Sequence, residues 1–141
     1  MTGKFGLSAA LTTPFSQDGA VEIPTMIAQA KRSLAAGCDS VTLFGTTGEG
    51  SSIGTRERTE ILSAFLDAGI AANKLVAGVL VDSAQDAADQ AGEALKAGAR
   101  NILLAPPSYF KNVGDEGLFQ WFSSVFHQLG DTTRDILVYN I

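Results

Sequence analysis

The sequence is poor in the residues that most often carry chemistry. It holds one cysteine, Cys38, and one histidine, His127. A lone thiol makes no internal disulfide and has no companion for a thiolate metal site, so Cys38 reads as a small buried hydrophobe and a metal centre has no ligand set to start from. His127, between Phe126 and Gln128, has no carboxylate or cysteine at a catalytic spacing and reads as structural. Basic residues are few and scattered. Ten Lys and Arg stand against fifteen Asp and Glu, a formal charge of -5, and no basic cluster marks a footprint for nucleic acid. Long apolar runs are missing as well. The longest strongly apolar stretch, residues 75–81, is far too short to span a bilayer, and the opening MTGKFGLSAALTTPF lacks the long apolar core of a secretory signal. No membrane partner is expected, and a cytoplasmic location is the reading by default. What is there, 141 residues of which 45% are hydrophobic and 18% charged, suits one globular domain with a core of its own.

Apolar runs of strand length alternate along the chain with longer stretches of helical period. Residues 7–12, 41–44, 75–81, 102–104 and 136–139 read as strands; residues 23–36, 55–70, 83–97 and 115–129 read as helices. The second helix carries Ile61, Leu62, Phe65 and Leu66 on one face. The third carries an alanine stripe (Ala84, Ala87, Ala88, Ala91) with Leu95, and the fourth repeats Leu118, Phe122, Val125 and Leu129 behind Asp115 as a capping residue. The strands are unbroken apolar runs, as burial on both faces of a parallel sheet produces. An internal echo supports repeated βα units: LAAGCDSVTL at 34–43 returns 61 residues later as LKAGARNILL, with Gly37 and Gly98 placed to end a helix in the left-handed conformation. The chain is therefore α/β, either an open flavodoxin-type sheet or the first part of an eight-fold barrel. An open sheet wants a closing helix on its second face, and none follows residues 136–139 here.

Both architectures gather chemistry at the carboxyl ends of the strands. The second strand leaves through LFGTTGEG. Its glycines, Gly45, Gly48 and Gly50, are expected to take positive φ and bring the backbone close to a ligand, while Thr46 and Thr47 offer hydroxyls and amides to a small anion. A plain tight connection is the alternative. The first strand exits through Thr12 and Thr13, the fourth through APPSYFK with Tyr109, and the fifth through Tyr139 and Asn140. Both of the chain's tyrosines thus fall at strand ends of one polarity, where a phenol either relays protons or serves as an amphipathic plug. Glu49 is expected to tie down the glycine-rich turn through backbone amides.

The order TPF, GTTGEG, PPSYFK followed by DEGL, and YN resembles the dihydrodipicolinate synthase and N-acetylneuraminate lyase family from the first strand to the last residue. Its members are pyruvate-dependent Schiff-base lyases and aldolases on TIM (β/α)8 barrels about twice this length. The resemblance therefore implies that residues 1–141 are one partial barrel domain of about five strands and four helices, truncated after strand five. It implies that Thr46 and Thr47 bind the pyruvate carboxylate. It also implies that Thr46 links Tyr139 and Tyr109 in a catalytic proton relay, with Tyr109 reaching the neighbouring subunit's site in a homo-oligomer, usually a tetramer of two tight dimers. No cofactor is implied. The substrates would be pyruvate or another 2-oxo acid and an aldehyde.

The chain departs from the family pattern at four places. Ser108 stands where a first tyrosine of a pair is usual, Gly50 stands for a serine, and Val81 and Asp82 replace a small residue and Asn; residues 111–116 form a segment one residue longer than usual. The family's Schiff-base lysine lies on strand six, beyond Ile141. Of the five lysines present, Lys4, Lys31, Lys74 and Lys96 are placed before strands or on helices, and only Lys111 lies near the rim. The reading from another class is a non-catalytic half-barrel or open-sheet module that binds a small carboxylate or phosphate.

Overall fold

The structure, a computed structural model, describes residues 6–141. Five strands alternate with four helices: β1 (Ser8–Ala10), α1 (Ile23–Ala35), β2 (Ser40–Leu43), α2 (Thr55–Asp67), β3 (Leu75–Val79), α3 (Ala84–Lys96), β4 (Asn101–Leu104), α4 (Asp115–Leu129) and β5 (Ile136–Val138). Every element expected from the apolar pattern is present, with the strands mostly shorter than their apolar runs. The caps differ in one place. Asp115 lies inside α4, whose N-cap is Gly114, and together with Glu116 it places negative charge in the first turn, against the positive end of the helix dipole. Ser83 is a true cap, its Oγ accepting the Asp86 N–H at 3.2 Å.

The helix ends explain the internal echo. Gly37 and Gly98 have φ of 106° and 105°, and Gly69, outside the echo, ends α2 the same way at 82°. At each, the following N–H reaches back to the last turn: Cys38 to Ser33 O at 3.1 Å, Ile70 to Phe65 O at 3.1 Å and Ala99 to Ala94 O at 2.9 Å. This is the Schellman closure, and only glycine takes its left-handed residue without a Cβ penalty. It turns the chain into the next strand. Cys38 is half-buried in the first of these turns, more open than the expected core position, and His127 is exposed in the last turn of α4.

The strands lie side by side in the order β1-β2-β3-β4-β5, all parallel. A flavodoxin-type sheet reverses direction after its first crossover; this one never does. Right-handed crossovers that always advance the same way leave all four helices on one face, which is the winding of a (β/α)8 barrel. The open-sheet alternative is thereby overturned.

Register divides the sheet into two chemically different faces. Val41, Leu43, Leu75, Ala77, Val79, Ile102 and Leu104 point toward the helices and form the core with Met26, Ile61, Leu62, Phe65, Ala91 and Val125. The opposite face alternates with them and carries Ser8, Ser40, Thr42, Gly78 and Asn101 among its apolar residues. Ser8 and Thr42 hydroxyls join across it at 2.8 Å.

The alanine stripe sets how closely α3 lies on the sheet, since Ala87 and Ala91 are wholly buried. A larger side chain has no space to enter. Ala91→Leu is expected to cost about 1–3 kcal/mol through overpacking. Urea unfolding checks it, and a midpoint equal to that of the parent would show that the stripe is not close-packed.

Candidate active site at the strand ends

The turn after β2 is shaped by close approach more than by left-handed glycines. Positive φ falls on Phe44 (58°) and Glu49 (50°), whereas Gly45, Gly48 and Gly50 have none. The glycines matter for another reason. A Cβ on Gly48 would lie 2.7 Å from the Leu11 carbonyl, and one on Gly50 would run into the Phe44 carbonyl. Gly78, on the neighbouring β3, is barred from a side chain by the same carbonyl. Bare backbone at these three positions lets the first three strand exits pack against one another. Gly45 O accepts from both Gly48 N at 3.1 Å and Gly50 N at 3.0 Å, and the buried Thr13 hydroxyl at the end of β1 donates to Gly48 O at 2.6 Å.

Arg58 holds this arrangement from below, and the sequence reading missed it. The residue is only 6% exposed, and its guanidinium donates to three carbonyls: Ile53 at 3.1 Å, Gly78 at 2.6 Å and Gly50 at 2.6 Å. The charge also sits over the Phe44 ring, 4.8 Å from its centroid. Among the described residues no carboxylate pairs with it. Desolvation brings its pKa down to about 10, which leaves it charged at neutral pH. A signal was present in the sequence: Arg58, Ile61, Leu62 and Phe65 follow the spacing i, i+3, i+4, i+7, so Arg58 lies on the buried stripe of α2. Glu49, expected to secure the turn, faces outward, and its carboxylate makes no hydrogen bond among the described residues.

Thr46 and Thr47 crown the turn, both exposed. Their hydroxyls make no hydrogen bond among the described residues and are open to a ligand. Tyr109 follows β4 in an exposed loop, its ring 75% accessible and edge-on to Phe110 at 5.1 Å. Tyr139 follows β5, half-buried, with its N–H on Leu104 O at 2.8 Å. Parallel strands put all four residues at the same end of the sheet. No hydrogen bond among the described residues joins the hydroxyls of Thr46, Tyr109 and Tyr139. Two strands separate β2 from β5, a span of about 14 Å along a flat sheet, so a meeting of Thr46 and Tyr139 requires curvature.

The loop of Tyr109 is anchored by a residue at the exit of β3. Asp82 Oδ1 accepts the Ser108 N–H at 2.5 Å and the Tyr109 N–H at 2.9 Å. These bonds lower the Asp82 pKa from its ordinary value. A surface hollow along α3 and the end of α4 holds none of these side chains. Among the described residues no cluster of His, Cys, Asp and Glu could hold a metal, and no helix is long and apolar enough to cross a membrane.

Two outcomes are expected. Arg58→Ala leaves three carbonyls without their donor and should cost about 3–5 kcal/mol, read by denaturant unfolding; a loss below about 1 kcal/mol would mean that the turn holds itself. For Asp82 the folded-state pKa is depressed, so its bonds contribute fully above the unfolded value near 3.8 and are lost as pH falls through the lower folded value. Hydrogen exchange should show the Ser108 and Tyr109 amides still protected at about pH 4. Loss of protection by about pH 5 would contradict a depressed carboxyl.

Comparison with known proteins places the chain in a family. The profile of the dihydrodipicolinate synthetase family matches residues 4–141. A 4-hydroxy-tetrahydrodipicolinate synthase from Hyphomonas neptunium is 33% identical over 136 residues, 96% of this chain and 45% of that protein. The crystal structure of a dihydrodipicolinate synthase from Agrobacterium tumefaciens superposes with a TM-score of 0.93 at 72% identity, covering 98% of this chain and 48% of that one. A chloride-inhibited dihydrodipicolinate synthase from Acinetobacter baumannii, solved in complex with pyruvate, superposes at 0.81 with 27% identity, over 96% of this chain and 45% of that one. The chain spans about half the length of these relatives, and its five strands and four helices match the N-terminal portion of their barrel. By the family profile, the sequence identity and the winding of its sheet, the chain belongs to the dihydrodipicolinate synthetase family.

Proposed function

We propose that residues 1–141 form the first part of one (β/α)8 domain and supply the carboxylate cradle and proton relay of a pyruvate-dependent Schiff-base lyase or aldolase. The observation that carries this reading is the glycine-rich turn after β2, which offers two exposed threonines above a buried guanidinium that has no carboxylate partner among the described residues. Hydroxyls and amides in front and positive charge behind suit a carboxylate. Pyruvate bound to the Acinetobacter relative is the support for naming the acid.

In this reading Thr46 and Thr47 hold the carboxylate of pyruvate or another 2-oxo acid. A lysine amine attacks the keto carbon, the carbinolamine loses water to give an imine, and loss of a proton from the neighbouring carbon gives the enamine, whose carbon adds to an aldehyde; the reverse sequence releases one. Thr46, Tyr139 and Tyr109 carry protons to the departing oxygen and to the carbon-carbon step. The lysine lies beyond Ile141. Lys31 is on α1, Lys74 precedes β3, Lys96 ends α3, and Lys111 donates to Ser108 O at 2.6 Å. Lys4 falls outside the described residues. None of the four described lysines stands at a strand exit in the desolvated setting that activates an amine. The exposed Tyr109 ring suits a phenol that completes the site of a neighbouring subunit in a homo-oligomer, a tetramer built from two tight dimers. The setting proposed is the cytoplasm.

Borohydride traps such an imine as a secondary amine and tests the assignment of the nucleophile. The 141-residue chain with pyruvate and borohydride should keep its mass; joined to the C-terminal half of the Agrobacterium relative, it should gain one pyruvate-derived adduct outside residues 1–141. An adduct on Lys4, Lys31, Lys74, Lys96 or Lys111 would overturn the assignment. In the joined protein, Tyr139→Phe should lower turnover by about 10²- to 10⁴-fold with the fold intact, and near-normal turnover would remove Tyr139 from the relay.

A further inference from the structure

Asp82 is bonded on both of its sides. Its carboxylate accepts the Ser108 and Tyr109 amides, and its own carbonyl accepts the indole N–H of Trp121 on α4 at 2.7 Å. The indole is half-buried and packs edge-on against Phe122, 5.1 Å between centroids, so the partner of the Asp82 carbonyl is itself fixed in the helix layer. Three segments therefore meet at one residue: the exit of β3, the loop after β4, and the middle of α4. A second tie closes the loop on its far side, where Lys111 Nζ donates to Ser108 O.

The consequence concerns Tyr109. Its ring is mostly in solvent, its hydroxyl has no hydrogen bond among the described residues, and Phe110, its edge-on neighbour, is 71% exposed. Little but the backbone fixes where such a phenol points. A short loop with both amides on one carboxylate has few conformations left, and a side chain rooted there is presented at a constant height above the rim.

We propose that Asp82 is the positioning residue for Tyr109: it anchors the Ser108–Tyr109 backbone to the end of β3 and so sets the place at which the Tyr109 phenol is delivered to the reaction. This rests on the proton relay assigned to Tyr109 above. Asp82 touches no substrate; it acts through the loop. An aspartate does this better than a neutral side chain, because a charged acceptor makes the shorter and stronger bonds to two converging N–H groups.

The experiment is a double-mutant cycle in the full-length polypeptide that carries this sequence, with hydrogen exchange as a readout independent of activity. Asp82→Ala should lower kcat by roughly 10- to 100-fold, the cost of misplacing a catalytic group by about an ångström, and leave the KM for pyruvate near that of the parent. Asp82→Asn, which keeps an oxygen acceptor, should recover most of that loss. In the Tyr109→Phe background, Asp82→Ala should cost nothing further, because the group it positions is gone. Losses that multiply would overturn the proposal, as would a parent-like kcat for Asp82→Ala. If Tyr109→Phe itself leaves kcat unchanged, the relay assignment fails, and exchange decides the anchor separately. Asp82→Ala should speed exchange at the Ser108 and Tyr109 amides with Asp82→Asn close to the parent; unchanged protection in Asp82→Ala overturns the anchor whatever the kinetics show.

Discussion

A charged guanidinium lies beneath the turn after β2, with no carboxylate beside it among the described residues, and carbonyls from three segments converge on it. Arg58 reaches from α2 to Gly50 in the turn, to Ile53 where the turn becomes helix, and to Gly78 in the adjacent strand. A buried cation is tolerable only if dipoles replace its water, and here three carbonyls and the face of Phe44 do so. The dependence is mutual. The carbonyls would be unsatisfied without the arginine, and the segments that bear them pack closely because Gly48, Gly50 and Gly78 set no side chain against the Leu11 and Phe44 carbonyls. Phe44, forced to φ of 58°, lies at the centre of this packing with its ring wholly buried. Backbone strain of that kind persists where the surroundings over-determine it, and Arg58 over the ring with Gly50 and Gly78 against the carbonyl are part of those surroundings.

The rim inherits its order from this anchor and from Asp82. Thr13 ties the first strand exit to the turn after the second, Arg58 ties that turn to the third strand, and Asp82 links the third exit to the fourth. The two devices differ in kind. One is a buried charge that rigidifies a turn from within, and the other an exposed carboxylate that gathers amides on the surface. The distribution of stiffness follows: the threonines crown a fixed turn, while the Tyr109 ring extends from a tethered loop into solvent.

Much of this was legible in the residues. The apolar runs marked every strand and helix because burial on both faces of a parallel sheet leaves few alternatives to Val, Ile, Leu and Ala. The echoed glycines marked two helix ends because no other residue takes the left-handed turn as cheaply, and Gly69 escaped notice only because its surroundings do not repeat. Asp115 has the residue type of a cap, but the preceding Gly114 holds the position. The GTTGEG turn stands out in the sequence by its glycines and hydroxyls, but its mechanics do not: positive φ falls on Phe44 and Glu49, and the glycines serve contact.

The sequence by itself determined the alternation of strands and helices, the helix ends, and the set of hydroxyl residues that follow the strands, since each is written in a local pattern. Tertiary structure alone decided the strand order, which separates a barrel winding from an open sheet and depends on which edge each crossover joins. It alone revealed Arg58 and Asp82 as the two anchors. Their bonds to the sheet and the loop run to residues 20, 26 and 27 positions away, and hydrogen bonds to backbone carbonyls and amides leave no trace in the identity of the residues that make them.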